Sequence, residues 1–472
     1  MSNQRKSLCV AFGRYGKLSG LAAVMAAAVL GFGNGASGQL AAPTLDMGPT
    51  LHDNGGGTKG EAGADRGIRL LTLAPIPGTS ANTSGGAMYV FDISFVDQST
   101  QTYYLADRSN AVVDVVDAKD GTFTKQIAAN PAFKGFTGNN ATSGPNGVVA
   151  AFPWLFVTDA NSRVVTIDLR NGNTVSDVST NGAAGLRADE LAYAAEQGLL
   201  LVINNADTPP FGTLIKVNQS TGALTVGQRI TFDAAHGVDA QNGAEQPVWN
   251  PDTNRFYLSI PQIGSAVKNG GVIRINPFSA IVETTFPVQF CGPAGLALGT
   301  KQDLFIGCNT VFDTAGNVWN PDGTVPADPR DVIIDAKNGS IDATVFGVGA
   351  GDEVWFNRGD GNFYATGSGS PQRPISEPAS ATNTAKGSTP AGVVDSKDQT
   401  LLQLFPTYNV AAVSGTGGHP AGTSHSIAAN ARNNLVFVPL PANNAFLSPD
   451  AKQNCLTGCV AVFAHPDEDK TD

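Results

Sequence analysis

Seven short apolar runs in this chain open on residues that are mostly polar: Asp92, Asn146, Asp189-Glu190, Glu245-Gln246, Ala294, Asp352-Glu353 and His425. All but Ala294 supply an oxygen or an imidazole. If the runs are the first strands of units set around one axis, these side chains converge on one channel mouth. Oxygen-rich convergence suits Ca²⁺ or Mg²⁺, and the single histidine tilts it toward Zn²⁺ or Mn²⁺. Carboxylates crowded at such a mouth repel one another unless a cation or protons sit among them. The candidate ligand or metal residues are therefore Asp92, Asn146, Asp189, Glu190, Glu245, Asp352, Glu353 and His425. In a hydrolytic reading one divalent cation is the cofactor, and Asp189 or Asp352 is the base that activates water. In the competing reading the same residues only satisfy backbone groups and water along the channel, and the spacing leaves both open.

Other chemistry is sparse. His236 and His419 fall in loops that emerge on the same side as His425 and would join Glu245 in a transition-metal cluster; His52 and His465 are terminal. Trp249 and Trp355 sit inside first strands and read as core, whereas Trp154 and Trp319 read as stacking platforms for a ligand. The chain has no G-x-S-x-G, H-E-x-x-H, P-loop or EF-hand pattern, and from residue 68 on it has no G-x-G-x-x-G. Cys291, Cys308, Cys455 and Cys459 follow the export segment described below, and an even count in an exported chain reads as two disulfides. Three pairings are open; the local one, Cys291 with Cys308 and Cys455 with Cys459, is preferred. Spacing of C-x3-C without a neighbouring histidine argues against zinc and against a haem attachment.

The elements that must position these residues are short and β-rich. The chain has 472 residues, 55 Gly and 28 Pro, with 42% hydrophobic and only 15% charged residues, so it buries a large core. From residue 68 the texture is of brief apolar runs bounded by Gly, Asn, Asp and Pro. Phe91–Asp107 followed by Val112–Gly121 gives one complete unit, and Asn146–Asp159 followed by Val164–Gly172 gives the next. Five more follow, about 57 residues each over 68–465. A four-stranded sheet cannot bury both faces alone, so the units must stack, and blades around an axis do so without exposed edges. The expected fold is an all-β, seven-bladed propeller closed by residues 68–73, which supply the strand that the last unit lacks. A pair of β-sandwiches is the alternative, and seven regular units speak against it. Long connections (309–330, 367–390 and 439–459 within units; 128–145, 231–244 and 405–424 between them) all emerge on one face by strand alternation, and such a rim is where a propeller binds.

Residues 1–20 carry Arg5, Lys6, Arg14 and Lys17 and no acid, before the apolar run 21–32 and the small residues 35–38. This is the layout of a secretory signal cut after Gly38, and the run is too short to span a bilayer. Expected segments are a signal peptide (1–38), a flexible Gly-rich leader (39–67), the propeller (68–465) and an acidic tail (466–472). Export would place the mature chain in the periplasm or outside the cell. Cleavage removes four positive charges and takes the formal charge from −11 to −15. Such a chain repels phosphate backbones, so no nucleic acid partner is expected, nor a membrane span; a monomer is expected.

Two resemblances bear on these readings. Residues 104–123 (YLADRSNAVVDVVDAKDGTF) and 156–169 (FVTDANSRVVTIDL) resemble the YVTN/NHL-type repeats of exported bacterial propellers, through all seven units and more loosely in the fifth and sixth. Glu245-Gln-Pro-Val-Trp-Asn-Pro resembles the Glu-Gly-Pro-x-Trp of the gluconolactonase and senescence-marker propellers, and Pro145-Asn146-Gly-Val resembles their Asn-Gly-Leu. That second resemblance covers short fragments of a six-bladed family whose order around the ring is not reproduced. It implies a metal held by Glu245 and Asn146, with Asp189 or Asp352 as third ligand and base for lactone hydrolysis. The first reading is an exported binding module that uses its loop-rich face and channel mouth for a protein, a glycan or a small ligand; the metal-dependent hydrolase is the alternative.

Overall fold

The computed structural model describes residues 67–319, 329–349, 351–367 and 390–465. The signal segment, the acidic tail and nearly all of the leader lie outside them, as do parts of the connections 309–330 and 367–390.

The chain forms seven four-stranded antiparallel sheets. Six are built from consecutive strands. In the seventh the order is Ala428–Ala429, Val436–Leu440, Cys459–Ala464 and then Arg69–Pro75 from the start of the domain. The fold is the expected seven-bladed propeller with the expected closure: Leu73 faces Ala461, Pro75 faces Cys459, and Leu73 is buried between the last two blades.

Burial alternates with position in the blade. Middle strands such as Trp154–Asp159 are buried throughout, because neighbouring blades cover both faces. Outer strands such as Asn173–Ser179 alternate between exposed and half-buried.

One turn recurs between third and fourth strands and explains much of the sequence texture. An Asp or Asn ends the third strand, its side chain accepts from the amide two residues on, and the fifth position adopts a left-handed conformation. Lys119, Arg170, Ser220 and Lys337 amides donate to Asp117, Asp168, Asn218 and Asp335 in this way. Gly121, Gly172, Gly222 and Gly339 take the positive φ. At Gly339 a Cβ would lie 2.2 Å from the Phe286 ring, so glycine is required there for space as well as for φ.

Both disulfides form with the local pairing. Cys291–Cys308 ties the first strand of blade 5 to its second, and Cys455–Cys459 closes the loop that leads into the third strand of blade 7.

Candidate functional site

The first strands stand around the axis: Ser94–Asp97, Val148–Ala151, Leu191–Ala194, Pro247–Asn250, Cys291–Leu298, Val354–Asn357 and Ala428–Ala429. Just before these strands, or in blade 5 within it, the backbones are stitched blade to blade. Ile93 N donates to Asn146 O (3.2 Å), Gly147 N to Asp189 O (3.2 Å), Gln246 N to Ala294 O (3.3 Å) and Glu353 N to His425 O (3.0 Å). Between blades 7 and 1 the link is Ser94 N to Ser426 Oγ, 2.8 Å. This belt holds the entrance residues in one ring, on the side where second strands end and the long connections begin.

Two arginines stand in that ring. Arg108 follows the second strand of blade 1, and Arg187 comes from the connection before blade 3. Arg108, only 2% exposed, pairs through Nη2 with Asp92 Oδ2, donates from Nε to Asn146 Oδ1 (2.9 Å) and lies 3.9 Å from Asp189 Oδ1. Arg187 pairs with Asp189 at 2.7 Å and with Asp92 at 3.5 Å, and its Nε reaches Asn205 Oδ1 at 3.4 Å. The result is a closed circuit of two guanidiniums and two carboxylates. His425 completes it: Nε2 is 3.4 Å from Asp92 Oδ1, Nδ1 is 2.8 Å from Thr423 O, and the ring stacks on Phe91.

Glu245 and Asp352 remain at the half-buried rim, next to Asn205 (3.5 Å) and Asn309 (3.1 Å) respectively. Glu190 and Glu353 come one residue further along the chain than Asp189 and Asp352 and are buried.

The circuit divides the acids into two kinds. Burial alone would raise Asp92, but Arg108, then the His425 hydrogen bond and Arg187, hold it well below the usual carboxylate range. Burial pushes Asp189 up to about 7 despite Arg187, with Asp92 adding repulsion. Burial, followed by repulsion from Asp189 and Asp352, brings Glu245 to about 8; Asp352 is also raised, by burial first. Burial works against a charged His425, yet the Asp92 hydrogen bond and Asp352 outweigh it and raise its pKa. The mutual repulsion expected of the carboxylates is thus relieved by guanidiniums and by retained protons.

This changes what the candidate residues can do. Asn146 is fully committed, since its Oδ1 accepts from Arg108 and its Nδ2 donates to Ala188 O at 2.8 Å. Asp92 and Asp189 are committed to the arginines. Glu245, Asn146 and Asp189 or Asp352 therefore do not present three free donors. Among the described residues no group of three or more His, Cys, Asp or Glu side chains is arranged to hold a metal ion.

The remaining candidates are engaged elsewhere. His236 pairs with Asp233 of its own turn at 2.6 Å, and His419 stacks on Tyr89 at 4.0 Å. Trp319 is buried in the core between blades 4 and 5. Trp154 starts a second strand directly after the short turn at Phe152-Pro153, which puts it at the face opposite the long connections; it is buried there, with its Nε1 on Gln219 O at 2.8 Å. Neither tryptophan is a stacking platform on the loop-rich face, contrary to the sequence reading.

Arg108 and Arg187 are the residues of the ring that the sequence reading missed. A signal was available, because Arg187-Ala-Asp189 places cation and carboxylate two apart, on one side of an extended chain.

Among solved structures, the chain resembles the WD40 domain of Neurospora crassa Pan2 at 10% identity and a TM-score of 0.51, over 85% of this chain and 97% of that domain. It also resembles the WD40 β-propeller domain of Doa1 at 12% identity and a TM-score of 0.49, over 85% of this chain and 99% of that one. At such identities the likeness concerns the fold alone. No family model matches the chain, and no curated protein matches its sequence.

Proposed function

We propose that the chain is an exported, monomeric binding module of the YVTN/NHL-like kind, made with a signal peptide (1–38) and a leader (39–67) ahead of the propeller. Its loop-rich face and channel mouth take a polar, uncharged partner group, best matched by a glycan or another polyol. The observation that carries this is the closed Asp92–Arg108–Asp189–Arg187 circuit. Each ion already has its counter-ion, so the mouth presents oriented donors and acceptors with little net charge. Planar guanidinium and carboxyl edges with asparagines suit paired hydroxyl groups. Glu245, which burial brings to about 8, adds an O–H donor at the rim, and Asp352 adds a second carboxyl there. Export is supported by the N-terminal layout together with the two disulfides.

The lactonase alternative lacks support from the donor set, because guanidiniums occupy the places a cation would neutralise. The test is a glycan array with the full chain, followed by titration of the best hits into Glu245→Gln and Asp352→Asn. Binding weakened at least tenfold in either variant, at an unchanged melting temperature, supports the reading. Binding indifferent to both variants, or turnover of a lactone panel that depends on added Ca²⁺, Mg²⁺, Mn²⁺ or Zn²⁺, overturns it.

A further inference from the structure

One residue deeper than the ring lies a buried carboxyl with an orphaned oxygen. Glu353 of blade 6 is 2% exposed; one carboxyl oxygen, Oε2, is bonded to Ser426 Oγ of blade 7, whose hydroxyl also meets Ser94 Oγ of blade 1 at 2.8 Å. The other oxygen, Oε1, is buried without any partner. Glu190 of blade 3, 6% exposed, makes no side-chain hydrogen bond among the described residues, and Glu353 is the charge that acts on it most. Blades 3 and 6 are not neighbours, so these two carboxyls belong to different walls of the channel.

A proton alone does not satisfy the pair. Protonation removes charge, yet Ser426 is engaged at Oε2, so Oε1 is left without a hydrogen-bond partner whichever oxygen carries the proton. Oε1 requires a donor brought from outside. A metal ion is disfavoured, since no third carboxylate, histidine or cysteine joins the pair in a metal-binding group.

The wall on the far side of the pair from the ring is aromatic. The register of the first strand of blade 6 continues back through Glu353, where Thr366 N donates to Glu353 O at 3.3 Å. Trp355 is two residues further on and so shares the side of the strand that carries Glu353. It is half-buried and reaches past the small Ala428 and Ala429 of blade 7 to make an edge contact with Phe95 of blade 1, centroids 5.6 Å apart.

We propose that Glu190 and Glu353 form the head of a binding site for a primary alkylammonium, its N–H groups on the two carboxyls and its hydrocarbon chain toward Trp355 and Phe95. Three N–H donors answer Oε1 and the unbonded Glu190 carboxyl, and the indole and phenyl rings receive both the alkyl chain and the spread positive charge. Binding displaces a proton from Glu353, which burial raises to about 8; burial raises Glu190 as well. The groups that face this pair are Asp189, Glu245, Asp352, Asp92, His425 and the Tyr103 hydroxyl. The site lies below the ring and is independent of the polyol reading.

The test is calorimetric titration of n-propylammonium chloride into the full chain at pH 7, in two buffers of different ionisation enthalpy. The expected result is saturable one-to-one binding with release of about one proton, at least tenfold weaker in Glu353→Gln and in Trp355→Leu. Tetramethylammonium, which has no N–H donor, should bind at least tenfold more weakly than n-propylammonium. Glu353→Gln keeps the size of the side chain and its contact with Ser426, so it separates loss of the site from loss of the fold. The absence of saturable binding overturns the proposal. So does binding unchanged in both Glu353→Gln and Glu190→Gln, or tetramethylammonium binding as well as the primary amine.

Discussion

Replacing Arg108 with Met is the most direct probe of the mouth. The substitution keeps an unbranched apolar stem of similar length and removes the guanidinium held between Asp92, Asn146 and Asp189. Asp92 then keeps only Arg187 at 3.5 Å and His425 at 3.4 Å as cationic partners. Breaking a buried ion pair from one side costs about 3–5 kcal/mol. At about 2.1 cal/mol/K per residue, a propeller of roughly 400 residues has an unfolding entropy near 0.8 kcal/mol/K, so the loss lowers Tm by about 4–6 °C. The loss also depends on pH in a fixed direction. In the native protein Asp92 is held below its unfolded pKa and contributes stability at every pH above about 4. Without Arg108 its pKa rises, Asp92 takes up a proton in mild acid, and part of the penalty disappears. Scanning calorimetry should therefore show a larger gap between variant and parent at pH 8 than at pH 5. Arg170→Met removes a solvent-exposed partner of Asp168 and should change Tm by no more than about 1 °C. A shift in Arg108→Met as small as that, or one that is the same at both pH values, would refute the idea that the circuit holds the mouth together.

Three further outcomes are expected. Asp114 and Asp107 form a buried acid pair in blade 1, where Asp114 Oδ2 has no partner and burial raises both, Asp107 to about 6. Raised acids stabilise while protonated and lose that contribution as pH climbs from about 4 through their folded pKa, so Asp114→Asn should be more stable than the parent at pH 8, with the slope of stability against pH reduced by up to about 1.4 kcal/mol per unit; a variant less stable at pH 8 counts against a raised Asp114 as the source of that slope. Denaturant titrations should find Cys291→Ser/Cys308→Ser less stable by about 3 kcal/mol and Cys455→Ser/Cys459→Ser by about 2, because the first bridge spans 17 residues and the second 4; equal losses would mean that chain entropy is not what these bridges supply. Leu73→Ala should cost about 2–5 kcal/mol in the same assay, since Leu73 is buried in the closing strand, and a neutral result would mean that the closure frays.

The fold was legible because its punctuation is local. Asp117, Asp168, Asn218 and Asp335, each with a glycine four residues on, mark the same turn in four blades, and the distance between copies counts the units. Closure was legible because the last unit lacked a strand and residues 68–73 offered one. The mouth was legible only as a set of positions. Alternation places Asp92, Asn146, Asp189, Asp352 and His425 on one ring, but what neutralises them arrives from residues outside the first strands. Arg108 belongs to the end of a second strand and Arg187 to an interblade connection, and only the folded ring shows that both point inward. Glu190 and Glu353 immediately precede the first strands of blades 3 and 6, and no local pattern encodes the charge interaction between them. Trp154 shows the converse: its neighbourhood in sequence suggested a surface, whereas the direction of its strand sets it at the other face and under Gln219.

The joint between Arg69–Pro75 and Cys459–Ala464 has a consequence for how the molecule comes into being. The strand that seals the ring is the first of the fold to be synthesised, and its partner is the last. With roughly 390 residues between them and elongation at about 5–20 residues per second, this strand waits about 20–80 s for the edge it must join. Throughout that interval Arg-Leu-Leu-Thr-Leu-Ala-Pro is an unpaired, strongly β-forming segment, and blade 7 has no outer strand to shield it. A second chain at the same stage carries both missing halves, so crowded synthesis favours exchange of this strand between copies, and its capture by a chaperone would govern the yield of closed rings.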